Sequence, residues 1–458
     1  MKLPALFEQR MQTLLQDEYS SFIGGYSLPL RRGLRINTRK ISTEDFKTLF
    51  PHLLSPTPFA DGSFYVDAEH KAGSDPLHHA GAYYIQEPSA ASAVTVLAPQ
   101  EGEKILDLCA APGGKSTQIS SLIGENGFLW SNEFVPARAR ILQQNLERWG
   151  VRNQVVSSKD TTPLCEGLRD YFDAVLVDAP CSGEGMFRKE PQALSEWSLD
   201  NILLCADRQD TILANAAKAV RPGGRIVYST CTFAPEENEG AIYRFLSSHP
   251  DFVLEPISVA WGCAGFSAER IRPFCPEVDD RFDLTQCRRI LPQHGGEGHF
   301  IALLRRLGDG ISSCRSHSFS AKDTHRLDAE ALYGECFSDI PKGCFVTFGD
   351  QVRLLPHTLP NCDGLGVLSA GVAVAHVCKN RLEPVHSIFV ASQGFDCKQR
   401  IDFSLGDPLL TAFLHGEEIP CNDQSGWTAV MVHGIPVGFG KASNGRLKNR
   451  YPKGLRLL

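Results

Sequence analysis

The sequence contains no Cys-x-x-Cys pair, although 15 cysteines are spread over its 458 residues. An odd, scattered set of thiols excludes a disulfide framework and a zinc ribbon, so no metal is expected and the thiols are expected to be reduced. No apolar run is long enough to span a bilayer, and the first ten residues, with Lys2, Glu8 and Arg10, lack the apolar stretch of a secretory signal. The expectation is a cytoplasmic protein with no membrane partner and no obligate protein partner. An excess of positive charge is missing too. The 46 Lys and Arg against 53 Asp and Glu leave −7, which excludes a chain coated in positive charge.

What is present describes a multidomain globular chain. Hydrophobic residues at 42% and charged residues at 22% suit buried cores, and the length allows about three domains. Residues 1–95 begin with Leu6, Phe7, Met11, Leu14 and Leu15 at helical spacing, pass through a strand-like stretch at 33–37, and then break up at Pro51, Pro56, Pro58, Gly62 and Gly73. They read as a small α+β module.

From Glu103 the pattern becomes apolar runs of strand length (104–108, 128–130, 154–156, 174–177 and 225–229) separated by amphipathic helices. One helix is expected at 137–148 with Ile141, Leu142 and Leu146 inward, another at 209–219 with Ile212, Leu213 and Ala216 inward. Such alternation predicts an α/β domain over 96–306 with a doubly wound parallel sheet, closed by a last strand at 299–304. A Ser-, Gly- and Asp-rich linker follows at about 308–325. Short strand candidates at 344–348, 351–355 and 428–432 then predict small β-rich domains, taken as 325–390 and 391–458.

The first strand of the α/β domain runs into Asp107-Leu-Cys-Ala-Ala-Pro-Gly-Gly-Lys-Ser116, a glycine turn between strand and helix. Adjacent glycines let a ligand approach the backbone closely. A nucleoside-triphosphate loop would need a glycine where Cys109 stands, and the Gly-x-Gly-x-x-Gly of a dinucleotide fold is missing. Polar residues recur instead at successive strand ends: Glu133, which can take ribose hydroxyls or simply cap, then Asp160 and Asp178. That series points to an adenosine-containing cofactor without phosphates. Cys181, in Asp178-Ala-Pro-Cys-Ser-Gly183, and Cys231, in Ser229-Thr-Cys-Thr232, fall at the same edge, where a thiol can be exposed and activated.

These motifs, with Tyr84-Ile-Gln-Glu-Pro-Ser89 and Arg35-Ile-Asn37, resemble the Nop/Sun (Fmu) family of RNA 5-methylcytosine methyltransferases. Ser182-Gly-Glu-Gly-Met-Phe-Arg-Lys-Glu-Pro191 is most similar to its bacterial RsmF/YebU branch, which acts on small-subunit ribosomal RNA. The resemblance implies a Rossmann-like class I S-adenosylmethionine-dependent domain, an N-terminal α+β RNA-binding module and a C-terminal β-rich, PUA-like RNA-binding region. It makes Cys109, Ala110, Ala111, Pro112, Gly113, Gly114 and Lys115 the loop for S-adenosylmethionine, Glu133 the ribose partner, Asp160 the adenine neighbour and Asp178 an acid near the methyl donor. Cys231 becomes the nucleophile and Cys181 the residue that helps release product. Thr232 stands where the family more usually has serine.

The implied partner is 16S rRNA in the 30S subunit or its precursor. Arg35, Lys189 and the basic tail are the phosphate candidates; the tail holds Lys448, Arg450 and Lys453 among six cations and no acid. An Asp178 that donates to the ring nitrogen of the base has to carry or share a proton. Two other readings stand beside this one: a non-catalytic RNA-binding assembly factor, and methylation of a protein or small molecule, which needs no paired thiols.

Overall fold

Short antiparallel strands precede the parallel sheet. β1 (Arg32–Ile36), β2 (Leu53–Pro56), β3 (Ser63–Val66) and β4 (Tyr83–Gln86) form a four-stranded sheet in the order β2-β3-β1-β4. The computed structural model describes residues 3–457, except 51, 68, 311–315, 319–322, 357, 380, 422 and 423. Half of the linker expected at 308–325, residues 311–315 and 319–322, therefore lies outside the described residues.

The central sheet is built from β5 (Lys104–Asp107), β6 (Phe128–Asn132), β7 (Gln154–Ser157), β8 (Phe172–Asp178) and β9 (Val220–Thr230). They run parallel in the order β9-β8-β5-β6-β7. β10 (Phe252–Glu255), β11 (Cys263–Ala264), β12 (Arg288–Ile290) and β13 (His299–Arg306) extend the β9 side, with β13 antiparallel to β9. Ile105, Leu106, Leu129, Val155, Val156, Val175 and Leu176 are fully buried, as strands covered by helices on both faces require. Strand order reverses at β5, so a crevice opens beyond the carboxyl ends of β5 and β8.

The helix Pro136–Trp149 starts on a proline and ends at Gly150 in the left-handed region. It buries Ala139, Leu142, Leu146 and Trp149, whereas Ile141, expected inward, is 49% exposed. The inward stripe drifts around the helix, and Ala139 and Trp149 take the place the sequence pattern gave to Ile141. The helix Leu199–Ala219 is ten residues longer at its start than expected; Ser198 caps it by accepting from Asn201 N, and Ile212, Leu213 and Ala216 are buried.

The later strands are not an independent appendage. Val367–Ala370 pairs antiparallel with β7 and becomes the outer strand of the central sheet. The five-stranded sheet formed within 400–449 packs its Phe403 and Leu447, with Leu410 and Phe413 of the helix Pro408–His415, into one cluster with Leu34, Phe46 and Tyr83 of the N-terminal module. His79 Nδ1 meets the Tyr451 hydroxyl at 2.8 Å across that junction.

Candidate active site

The glycine turn after β5 is a cradle. Gly113 has φ +113°, and a Cβ on Gly114 would lie 3.2 Å from Tyr84 Cε1, so side chains are excluded where the backbone turns into the helix Gly114–Leu122. Cys109, Ala110, Ala111 and Pro112 lead into it, and Ala110 N donates to the Asn132 carbonyl at 2.8 Å, which fixes the loop over β6. Asp107 is fully buried; Oδ2 accepts from Ser116 Oγ at 2.6 Å while Oδ1 has no partner. Burial pushes its carboxyl up to about 7.

Glu133, at the end of β6, is 5% exposed, accepts from Val135 N at 2.9 Å and faces Arg138 at 3.3 Å. Asp160 is exposed and is the N-cap of Thr161–Gly167, accepting from Thr162 N at 2.8 Å. A glycine cradle, an orphaned buried carboxylate oxygen and a carboxylate at the next strand end form a donor and acceptor set that fits S-adenosylmethionine.

Lys115 and Asp178 meet in the crevice. Lys115 Nζ donates to Asp178 Oδ2 at 2.6 Å, Ser229 Oγ donates to Oδ1 at 2.8 Å, and His299 Nε2 lies 3.8 Å from Oδ1. Burial opposes the charge on Asp178, yet Lys115 and then His299 hold its carboxyl below the usual range. These contacts favour the ionised Asp178 as an acceptor, whereas donation to a ring nitrogen needs a proton on it. Burial likewise works against the Lys115 ammonium, and Asp178 outweighs it.

The two thiols at neighbouring strand ends are brought together: Cys181 Sγ and Cys231 Sγ are 3.3 Å apart. The contact with Cys231 first, and burial second, push the Cys181 thiol well up, so Cys181 keeps its proton. Their loops are locked from behind by two buried carboxylates absent from the sequence reading. Glu237 accepts from Ser182 N at 3.0 Å, from the Ser182 hydroxyl, and from Gln209 Nε2 at 2.8 Å. Glu184 accepts from Thr232 Oγ1 at 3.0 Å, Phe233 N at 2.9 Å and Trp197 Nε1 at 2.8 Å. Thr232 therefore uses its hydroxyl as a serine would. Both acids lie beside the cysteine motifs, but a lone Glu next to a turn carries no sequence signal of burial.

Arg35 does not face RNA. It is 4% exposed, donates to the Gly114 carbonyl at 3.0 Å and to Thr117 Oγ1 at 2.6 Å, and lies over the Trp149 ring. Its burial corrects the phosphate role expected for it: the residue braces the glycine turn after β5. Lys189 is half-buried beside Arg188, which pairs with Glu297 at 2.8 Å. In the tail, Lys448, Arg450 and Lys453 are exposed; Arg450 also faces Glu383 at 3.5 Å and the Trp427 ring, and Arg446 faces Glu418 at 3.6 Å.

Comparison with known proteins matches residues 94–305 to the model of the 16S rRNA methyltransferase RsmB/F family. The chain belongs to that family. The RsmF N-terminal domain model matches 3–88 and the RsmF PUA domain model 400–457. The chain is 32% identical to the ribosomal RNA small subunit methyltransferase F of Vibrio vulnificus, over 99% of this chain and 97% of that one. It is 37% identical to the Erwinia tasmaniensis relative over 66% of this chain and 63% of that one. A methyltransferase homologue from Pyrococcus horikoshii superposes with a TM-score of 0.58 at 30% identity, covering 66% of this chain and 95% of that one. The same archaeon's NSun6, solved with the S-adenosylmethionine analogue SFG, shares the fold at TM-score 0.54 and 22% identity, covering 67% and 99%. As in the RsmB/F family, the central domain is an S-adenosylmethionine-dependent methyltransferase acting on RNA, with a Rossmann-like sheet, an N-terminal module and a C-terminal PUA domain.

Proposed function

We propose that this enzyme methylates carbon 5 of a cytosine in 16S rRNA, in the small subunit or its precursor, through a covalent bond to Cys231. The observation that supports this most is the 3.3 Å thiol pair beside the Lys115–Asp178 pair at the cofactor edge. Methylation of a nitrogen or oxygen needs no thiol; carbon 5 of cytosine needs a nucleophile at carbon 6 to become electron-rich. Cys181 keeps its proton and can direct it at the neighbouring sulfur, which suits Cys231 to attack.

The Cys231 thiolate forms the bond to carbon 6, and the ring electrons move toward carbon 5. Lys115, held charged, stabilises the negative charge that develops on the ring, and Asp178, ionised, accepts from the exocyclic amine. S-adenosylmethionine would be held by Asp107, the 109–115 cradle and Glu133, with Asp160 toward the adenine, and would supply the electrophilic methyl group that carbon 5 takes, its sulfonium leaving as a neutral thioether. The carbon 5 proton then passes to the Cys181 sulfur as Cys181's own proton passes to the departing Cys231 sulfur 3.3 Å away, and the carbon 6–sulfur bond breaks as the ring regains aromaticity. Cys181, next to the bond that must open, is the residue we assign to that release.

The target base has to leave its stack to reach the crevice, which favours loops and flexible strands. Lys189, Lys448, Arg450 and Lys453 would hold the flanking phosphates. The cytoplasm is the compartment this substrate implies. Mass spectrometry of nucleosides and fragments of 16S rRNA from a strain lacking the protein tests the reading. A 5-methylcytosine should vanish from one small-subunit site and return with the parent gene, but not with Cys231→Ala. An unchanged rRNA methylation pattern would overturn it.

A further inference from the structure

The imidazole of His299 is the group in the crevice that the mechanism leaves unused. It stands at the start of β13, paired with Ile290 on one side and one residue beyond the Phe300–Thr230 pair on the other, opposite Cys231. It is 4% exposed, and its Nε2 has no hydrogen-bond partner although it lies 3.8 Å from Asp178 Oδ1. A buried polar nitrogen without a partner costs free energy unless a ligand satisfies it.

Two further facts fix its chemistry. Burial first, and Lys115 second, push the imidazole down to about 4, so the ring is neutral at physiological pH. Nε2 makes no hydrogen bond to Asp178 Oδ1 at 3.8 Å, which fits the tautomer with its proton on Nδ1 and a bare lone pair on Nε2. Gly298 itself has φ +146°, and a Cβ there would lie 2.6 Å from the Phe233 ring, so the backbone that sets the ring's position has no room to shift. Nε2 and ionised Asp178 Oδ1 are therefore two acceptors side by side. A nitrogen carrying two N–H bonds, about 2.9 Å from each, satisfies both.

We propose that His299 is a specificity-determining residue: with Asp178 it forms a paired acceptor for the exocyclic amine of the target cytosine and rejects uracil. Uracil would place a carbonyl oxygen against two acceptors, leaving that oxygen and His299 Nε2 without a donor and setting the oxygen against the Asp178 charge, whose Oδ1 has only Ser229. This rests on the cytosine reading above.

The test uses the full-length enzyme and 16S rRNA carrying either cytosine or pyrimidin-2-one, which lacks the amine, at the methylated position. The readout is kcat/KM for transfer of a labelled methyl group. The parent's preference for cytosine over pyrimidin-2-one should fall about tenfold in His299→Phe, the usual cost of orphaning one buried donor, with cofactor affinity unchanged. His299→Gln, which keeps an acceptor, should restore most of the preference. If His299→Phe does not fold, His299→Asn, too short to reach the amine, carries the same expectation. An unchanged preference, or an equal loss on both RNAs, overturns the role of His299. A parent that makes no 5-methylcytosine overturns the cytosine reading instead.

Discussion

Arg35 Nη2 donates to Thr117 Oγ1 at 2.6 Å, tying the first strand of the N-terminal module to the helix Gly114–Leu122 that follows the glycine turn. The same nitrogen reaches the Gly114 carbonyl at 3.0 Å. Arg35→Ala should weaken S-adenosylmethionine by about 1–3 kcal/mol, the usual cost of leaving buried partners unpaired. It should leave the salt dependence of RNA binding as it is. Calorimetry and a salt titration read the two effects; a reduced salt slope with parental cofactor affinity would return Arg35 to the phosphate contacts.

Glu133 and Asp160 separate in the same assay. Glu133→Ala should cost about 1–3 kcal/mol of cofactor affinity. Asp160→Ala removes a helix cap as well, worth about 1 kcal/mol of stability. Asp160→Ser keeps a capping oxygen on Thr162 N, so it should retain the melting temperature and still bind cofactor more weakly. Parental affinity in Asp160→Ser reduces Asp160 to a cap.

Asp107 carries a pH signature. Its folded carboxyl, raised to about 7 by burial, binds a proton that the unfolded chain releases near its ordinary 3.8. The stabilisation is complete below about 4 and is lost as pH rises through about 7, at most about 4 kcal/mol. Urea unfolding at pH 5 and pH 8 should show Asp107→Asn losing less stability over that interval than the parent. Equal losses would mean that Asp107 is ionised throughout.

The tail predicts a graded result. Lys448 and Lys453 are exposed, while Arg450 is shared with Glu383 and Trp427. The triple alanine variant of Lys448, Arg450 and Lys453 should lower the slope of log affinity against log salt by about 2. Arg450→Ala alone should account for the smallest part. An unchanged slope makes the tail a solvated face.

Much of this was readable from the chain because strand ends are local. The apolar runs end where Glu133, Asp178, Cys181 and Cys231 begin, and a parallel sheet delivers all such ends to one edge. What was not readable depends on contacts distant in sequence. Arg35 sits in a run of arginines that looks solvated, and only the fold shows Thr117 and Trp149 around it. The charge state of Asp178 cannot be read from its own segment, because the residue that favours its ionised form, Lys115, lies 63 residues away. Val367–Ala370 resembles any short strand until it pairs with β7. His299 opens an apolar strand, and its unsatisfied nitrogen is invisible without the crevice.

Opposite roles for the two touching sulfurs give each loss its own outcome. Cys231→Ala should abolish methyl transfer and form no adduct, because no thiol remains to open the ring. Cys181→Ala should permit attack and transfer but stall release. A denaturing gel of each variant with 16S rRNA and S-adenosylmethionine, followed by peptide mapping of the linked residue, is the most direct measurement. An RNA adduct is expected in Cys181→Ala, mapping to Cys231, and none in Cys231→Ala. An adduct in Cys231→Ala mapping to Cys181, or activity retained in both variants without any adduct, would contradict these roles.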